Sequence, residues 1–135
     1  MVRNLFLAAL VLIATAAKAV PPELARTTWR WVSLTTPEEM LTIAESEHYI
    51  LRFTDSDHVF LRADCNRGAG SVVFPEPGAI RFGVLAITRA MCPTGALGDR
   101  FAREVVRAGR WAIPRGELRL DLSGDAGILR FTRQP

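Results

Sequence analysis

Leu97-Gly98-Asp99-Arg100-Phe101-Ala102-Arg103-Glu104-Val105-Val106 is the stretch that decides the fold class. Leu97, Phe101 and Val105 recur every four residues, Ala102 and Val106 flank them, and arginines occupy the remaining face. That periodicity predicts an amphipathic helix, beginning near Pro93-Thr94 and stopped by Gly109. Downstream the period changes to two. Leu118, Leu120 and Leu122 alternate with Arg119 and Asp121, Ser123-Gly124-Asp125-Ala126-Gly127 turns, and Ile128 to Thr132 returns, which reads as a terminal β-hairpin.

Upstream, the chain reads as short strands. Thr28 to Leu34 is rich in β-branched and aromatic residues and predicts a first strand. Thr36-Pro37-Glu38-Glu39 has the spacing of a capping box with proline at the first helical position, so a short helix is expected through about Ile43. Tyr49 to Phe53 and Val59 to Ala63 are expected to pair with Phe53 opposite Val59. Ser71 to Phe74 and Ile80 to Phe82 form another pair around Pro75-Glu76-Pro77-Gly78. So many strands with one clear helix imply an antiparallel sheet too poorly covered to stay flat. The expected fold is β-rich α+β: a small curled antiparallel sheet or half-barrel, with one amphipathic helix as plug or lid.

The chain has 135 residues, of which 49% are hydrophobic, and two cysteines. These values suit one compact domain and exclude both a disordered chain and a disulfide-dense miniprotein. Met1 to Ala19 has its own logic. Arg3 precedes a small and apolar run from Leu5 to Ala17, and Ala17-Lys18-Ala19 offers small residues where a signal peptidase reads. This pattern predicts a signal peptide over 1–19, cleaved after Ala19, and a domain over 20–135. A membrane anchor would need about 20 apolar residues, more than this run supplies. No cysteine lies near the cleavage site for lipid attachment, so no stable membrane anchor is expected after cleavage. The expected location is the periplasm or the exterior.

Cleavage changes the charge balance. The full chain has 17 bases against 14 acids. Loss of Arg3 and Lys18 leaves a net charge of about +1 and no lysine, which weighs against nucleic acid and membrane surfaces as partners. It also removes any Walker-type phosphate loop or Schiff-base lysine.

Cys65 falls at a strand end and Cys92 just before the helix. An even number of cysteines in an exported chain suggests a Cys65–Cys92 disulfide, which loop-closure entropy values at roughly 3.5 kcal/mol for a separation of about 27 residues. A metal pair and free thiols are the other readings. Zinc wants four ligands, and neither histidine stands near a cysteine in sequence.

Cys65-Asn66-Arg67-Gly68-Ala69-Gly70, followed by Phe82-Gly83-Val84-Leu85-Ala86-Ile87-Thr88-Arg89-Ala90-Met91-Cys92, resembles the META domain, also called the HslJ-like family. In that family a Cys-Asn-Arg motif ends a strand, and a Gly-x-Leu-Ala-x-Thr-Arg-x-Met-Cys run leads into the single helix and a terminal hairpin. The resemblance covers roughly Trp29 to Phe131. Two features depart from it: Gly68 and small neighbours stand where the family usually has aromatic residues, and Pro37 to Glu47 is longer than usual. The resemblance implies a small β-rich fold, export to the bacterial envelope and no established catalytic activity. Family members are associated with stress and antibiotic tolerance, many are lipoproteins, and some secretion pilotins share the architecture.

Other candidates for chemistry are weak. In the expected hairpin His48 and His58 stand on the order of 16 Å apart, too far to share a metal ion. Asp55 with Asp57, and Asp121 with Asp125, lack the EF-hand pattern. Gly68-Ala69-Gly70 is not a dinucleotide fingerprint and suggests a tight approach or bulge. No catalytic residue, metal site or cofactor is therefore expected. Asn66, Arg67, Thr88 and Arg89 form the candidate polar motif. Read as structure, Asn66 satisfies a turn and the arginines pair with internal acids or carbonyls. Read as a binding patch, Arg67 and Arg89 offer planar forks to a carboxylate or phosphate. The expected function is an exported, non-enzymatic, envelope or stress-associated binding or structural module whose partner is an unknown envelope protein or small ligand. The alternatives are a pilotin-like secretion-assembly chaperone and an inhibitor of an extracytoplasmic hydrolase.

Overall fold

Alternation of large apolar with polar residues produces most of the strands. The computed structural model describes residues 2–3, 6–12, 19–93 and 96–135. Its strands are β1 Thr28–Thr35, β2 Met40–Thr42, β3 Tyr49–Phe53, β4 His58–Ala63, β5 Asn66–Val73, β6 Arg81–Phe82, β7 Ala86–Ile87, β8 Ala108–Ala112, β9 Leu118–Leu122 and β10 Ile128–Gln134, with helix α1 at Gly98–Val105. The strands pair antiparallel in the order β6-β5-β4-β3-β1-β10-β9-β8, with β2 on β1 and β7 on β5. The two ends of the sheet come together. Ile80 N–H donates to Gly109 O at 3.2 Å and Trp111 N–H to Gly78 O at 3.0 Å. The result is a nearly closed half-barrel with a single α-helix among the described residues.

Inward-pointing Trp29, Trp31, Leu51, Phe53, Leu120, Leu129 and Phe131 are almost wholly buried and fill the barrel. Helix α1 contributes Phe101, which stacks on Trp31 with ring centres 5.0 Å apart and also meets Tyr49 and Phe131. Burying a ring of this size contributes about 2–3 kcal/mol, so the helix is held by its apolar stripe and plugs one end.

Several local expectations need correction. No helix forms after Thr36. Thr36 Oγ1 accepts the Glu39 and Glu38 N–H groups at 3.1 and 3.3 Å, as a cap would. Thr36 N–H, however, donates to Glu39 O at 2.9 Å, and this turn folds β2 back so that Leu41 pairs with Leu34. Ile43 N–H then reaches Val32 O at 3.0 Å and its side chain is buried. A capping signal is local, and here strand pairing overrides it. The strand expected from Ser71 begins at Asn66, and Gly68 to Gly70 pairs in unbroken register, a tight approach to the β7 segment rather than a bulge. Gly109 does not stop the helix, which ends at Val105; Gly109 lies within β8, a strand the periodicity did not reveal. The β3–β4 register agrees with expectation, with Phe53 opposite Val59.

Ala17, Lys18 and Thr94 lie outside the described residues. In the described part of the leader, Val2, Phe6, Leu7, Leu10, Val11 and Leu12 are 79–93% exposed. Val20 by contrast is buried, with its N–H on Ser56 O at 2.8 Å. Among the described residues, no helix is long and apolar enough to cross a membrane.

Candidate functional site

The turn between β4 and β5 is tied to the segment that precedes α1. Cys65 and Cys92 form a disulfide with their Cα atoms 5.5 Å apart. Beside it, the buried Asn66 uses its whole amide. Its Oδ1 accepts from Ala90 N–H at 2.7 Å and Thr88 Oγ1–H at 2.9 Å. Its Nδ2 donates to Ala90 O at 3.0 Å and, more weakly, to Cys92 Sγ at 3.4 Å. Thr88 Oγ1 in turn accepts Arg67 N–H at 3.0 Å. Asn66 and Thr88 thus form one hydrogen-bonded unit with the backbone of the opposite segment. Arg67 and Arg89 do not join it. Both are exposed, and among the described residues neither guanidinium meets an acid or a carbonyl.

This clasp fixes one wall of a groove of about 800 Å³. The wall is the segment from Phe82 to Arg89, with Val84, Leu85 and Ile87 facing the groove. Ala102 and Val106 of the helical side form the opposite wall, and exposed Arg89 on the first wall and Asp99 and Arg103 on the second carry charge along the groove. Glycines set both distances. A Cβ on Gly68 would sit 2.7 Å from Ile87 Cγ1, and one on Gly70 would sit 2.6 Å from Leu85 Cδ2. A large side chain at 68 therefore has no room while β7 lies against β5. On the helical side, a Cβ on Gly98 would fall 2.6 Å from Ala63 O.

Tyr49 anchors the start of the helix. Its Oη accepts Leu97 N–H at 3.0 Å and donates to Asp64 Oδ2 at 3.4 Å. Burial pushes its phenol above the ordinary tyrosine range against the opposing bond from Leu97, and the Asp64 charge adds to the rise. On the outer side of the helix, Arg100 bridges Glu39 and the buried Glu104, and its hydrogen bond holds the Glu39 carboxyl below the usual range.

His48 and His58 are held apart, His48 near Glu45 at 3.5 Å and His58 on Asp57 at 2.6 Å. Among the described residues, no group of three or more histidine, cysteine, aspartate or glutamate side chains is arranged to hold a metal ion. Sequence reasoning missed the groove itself. Its trace in the sequence is Val84, an apolar residue within the motif, which proves to be 92% exposed.

The META domain family matches residues 22–135 of the chain. Among solved structures, a protein from Burkholderia xenovorans determined by NMR has a TM-score of 0.70 at 19% identity, covering 89% of this chain and 96% of that one. A crystal structure of a DUF4847-family protein from Bacteroides vulgatus has a TM-score of 0.59 at 10% identity, covering 83% and 96%. At these identities the likeness concerns the fold alone. No curated protein matches the sequence significantly.

Proposed function

This chain belongs to the META domain family, and from that premise we propose that it is an exported, non-enzymatic binding module of the bacterial envelope, stress-associated, with the groove beside α1 as its binding site. The observation that carries this reading is how the motif is spent. Asn66 and Thr88 are consumed in holding Ala90 and Arg67 backbone groups, and the disulfide pins the same segment. The product of that investment is a fixed apolar wall facing Ala102 and Val106, with Arg89 and Arg103 beside it. Such a site takes an apolar body bearing one anionic group: the apolar walls supply burial and a guanidinium supplies orientation. The packed barrel interior supports an external groove over an internal cavity. Export is supported by the exposure of the leader's described apolar residues, by the burial of Val20 immediately after the expected cleavage point, and by a disulfide, which oxidising compartments favour.

The test uses anilinonaphthalene sulfonate, an apolar anion, titrated into isotopically labelled protein recovered from the periplasm. Saturable shifts confined to Val84, Leu85, Ala102 and Val106 are expected, and Ala102→Trp, which fills the groove, should abolish them. Shifts scattered over the surface, or identical shifts in the filled variant, would refute the groove.

A further inference from the structure

Strand register gathers the arginines on one outward face. Thr132, Arg30, Ile50, Arg62 and Arg67 stand in a single cross-strand row over β10, β1, β3, β4 and β5. Thr28, Arg52, Phe60 and Ala69 form the adjacent row. Their sequence neighbours Trp29, Leu51 and Leu61 are buried inside the barrel, so alternation points both rows outward. Arg130 extends the patch along β10 from Thr132. None of these five strands contains an aspartate or glutamate.

Off this face the arginines are mixed: among the described residues Arg81, Arg89, Arg103, Arg110 and Arg115 meet no carboxylate, whereas Arg26, Arg100, Arg107 and Arg119 each pair with one. On the outward face, Arg62 Nε reaches only Asp64 O, Arg130 Nη1 reaches only Thr35 Oγ1, and Arg52 rests on the Phe60 ring at 4.6 Å. Arg30 Nε is buried with no partner among the described residues. Arg62 and Arg67 stand directly opposite each other, an arrangement of like charges that destabilises a sheet. This face is therefore organised against the interest of stability, as a surface built for an external anion would be.

We propose that the outward face of β10-β1-β3-β4-β5 docks the protein on an anionic phospholipid surface, peripherally and reversibly. Arginine forks match phosphate oxygens two at a time. Phe60 and Val73, 41% and 42% exposed, and the half-buried Ile50 add apolar contact among the cations. Five strands at about 4.8 Å spacing spread the charges over roughly 20 Å, a footprint for several headgroups. A second copy of the chain is a poor occupant, because a self-complementary contact brings arginine to arginine. Single-stranded nucleic acid wants a run of aromatic platforms, whereas the two rows hold one ring, Phe60. The net charge of about +1 after leader removal hides this segregation, because the acids lie in the loops, helix and β9.

Sedimentation of the full chain with phosphatidylcholine vesicles, with and without phosphatidylglycerol, tests the proposal. The leader's Arg3 and Lys18 also favour the anionic vesicle, but that contribution is common to the parent and every variant, so the comparison between variants isolates the face. Binding is expected to require phosphatidylglycerol and to weaken with salt. Each arginine near the surface is worth roughly fivefold in partition, so R52Q/R67Q should bind roughly 30-fold more weakly while melting no earlier. R107Q/R115Q, with the same net charge off the face, should bind like the parent. Four outcomes would overturn the proposal: equal binding to both vesicles, equal losses in the two variants, displacement by inorganic phosphate at constant ionic strength, or binding to a single-stranded oligonucleotide without binding to vesicles.

Discussion

Replacing Asn66 by alanine removes the clasp that positions the groove wall. Three hydrogen bonds of ordinary length disappear, at 2.7, 2.9 and 3.0 Å, together with the weak one to Cys92 Sγ. At about 1 kcal/mol each the gross loss is about 3 kcal/mol. Ala90 is exposed, so water takes over part of what is orphaned, and the net loss should be about 2 kcal/mol. For a domain of this size that corresponds to a Tm lower by about 8 °C. Asn66→Asp keeps the Oδ1 acceptor and loses the Nδ2 donors, so it should cost about half as much. Urea unfolding followed by tryptophan fluorescence, without reductant, measures both. The same variants in a Cys65→Ser/Cys92→Ser background test the mechanism, because disulfide and clasp restrain one segment. Loss of the bridge alone should cost about 3.5 kcal/mol, and Asn66→Ala should then cost about 1 kcal/mol less than it does with the bridge in place. A loss below about 0.5 kcal/mol in the bridged protein, or strict additivity in the cycle, would show that the clasp is not what fixes the wall.

Phe101→Ala removes the ring that stacks on Trp31 and should destabilise by about 3–5 kcal/mol in the same urea assay; a cost under about 1 kcal/mol would mean the helix is not held by its stripe. Gly68→Ala drives a methyl into Ile87 and should cost about 1–3 kcal/mol while raising amide exchange at Ile87 and Thr88; unchanged exchange would contradict the close approach of β7. Tyr49 is the sole tyrosine, and the folded state favours its neutral form. Its share of stability should therefore be intact below pH 10.0, the ordinary value, and be lost as pH rises through the higher folded value. An ultraviolet titration with its midpoint at or below 10.0 would remove that argument. N-terminal sequencing of the periplasmic protein should begin at Val20, and a start well inside the domain or an intact Met1 would refute the cleavage rule.

Short-range pattern alone identified the helix around Phe101, the hairpin from Leu118 to Thr132 and the pairing of Phe53 with Val59, because periods of 3.6 and 2 are properties of neighbours along the chain. It also identified the polar motif of Asn66 and Thr88, though not that their hydrogen bonds close on backbone more than 20 residues away. The strand at Met40, the strand at Ala108 and the seam between Gly78 and Trp111 were settled only by tertiary pairing. In the first, a turn that caps a helix as readily as it closes a hairpin is decided by what lies across from Leu41. The groove and the arginine face belong to the same class. Composition adds charges without regard to place, and alternation says that Arg30, Arg62 and Arg67 share a face without saying they share a row. That row exists because β1, β3, β4 and β5 lie side by side in one particular register, and register is fixed by burying tryptophans, leucines and phenylalanines on the other face.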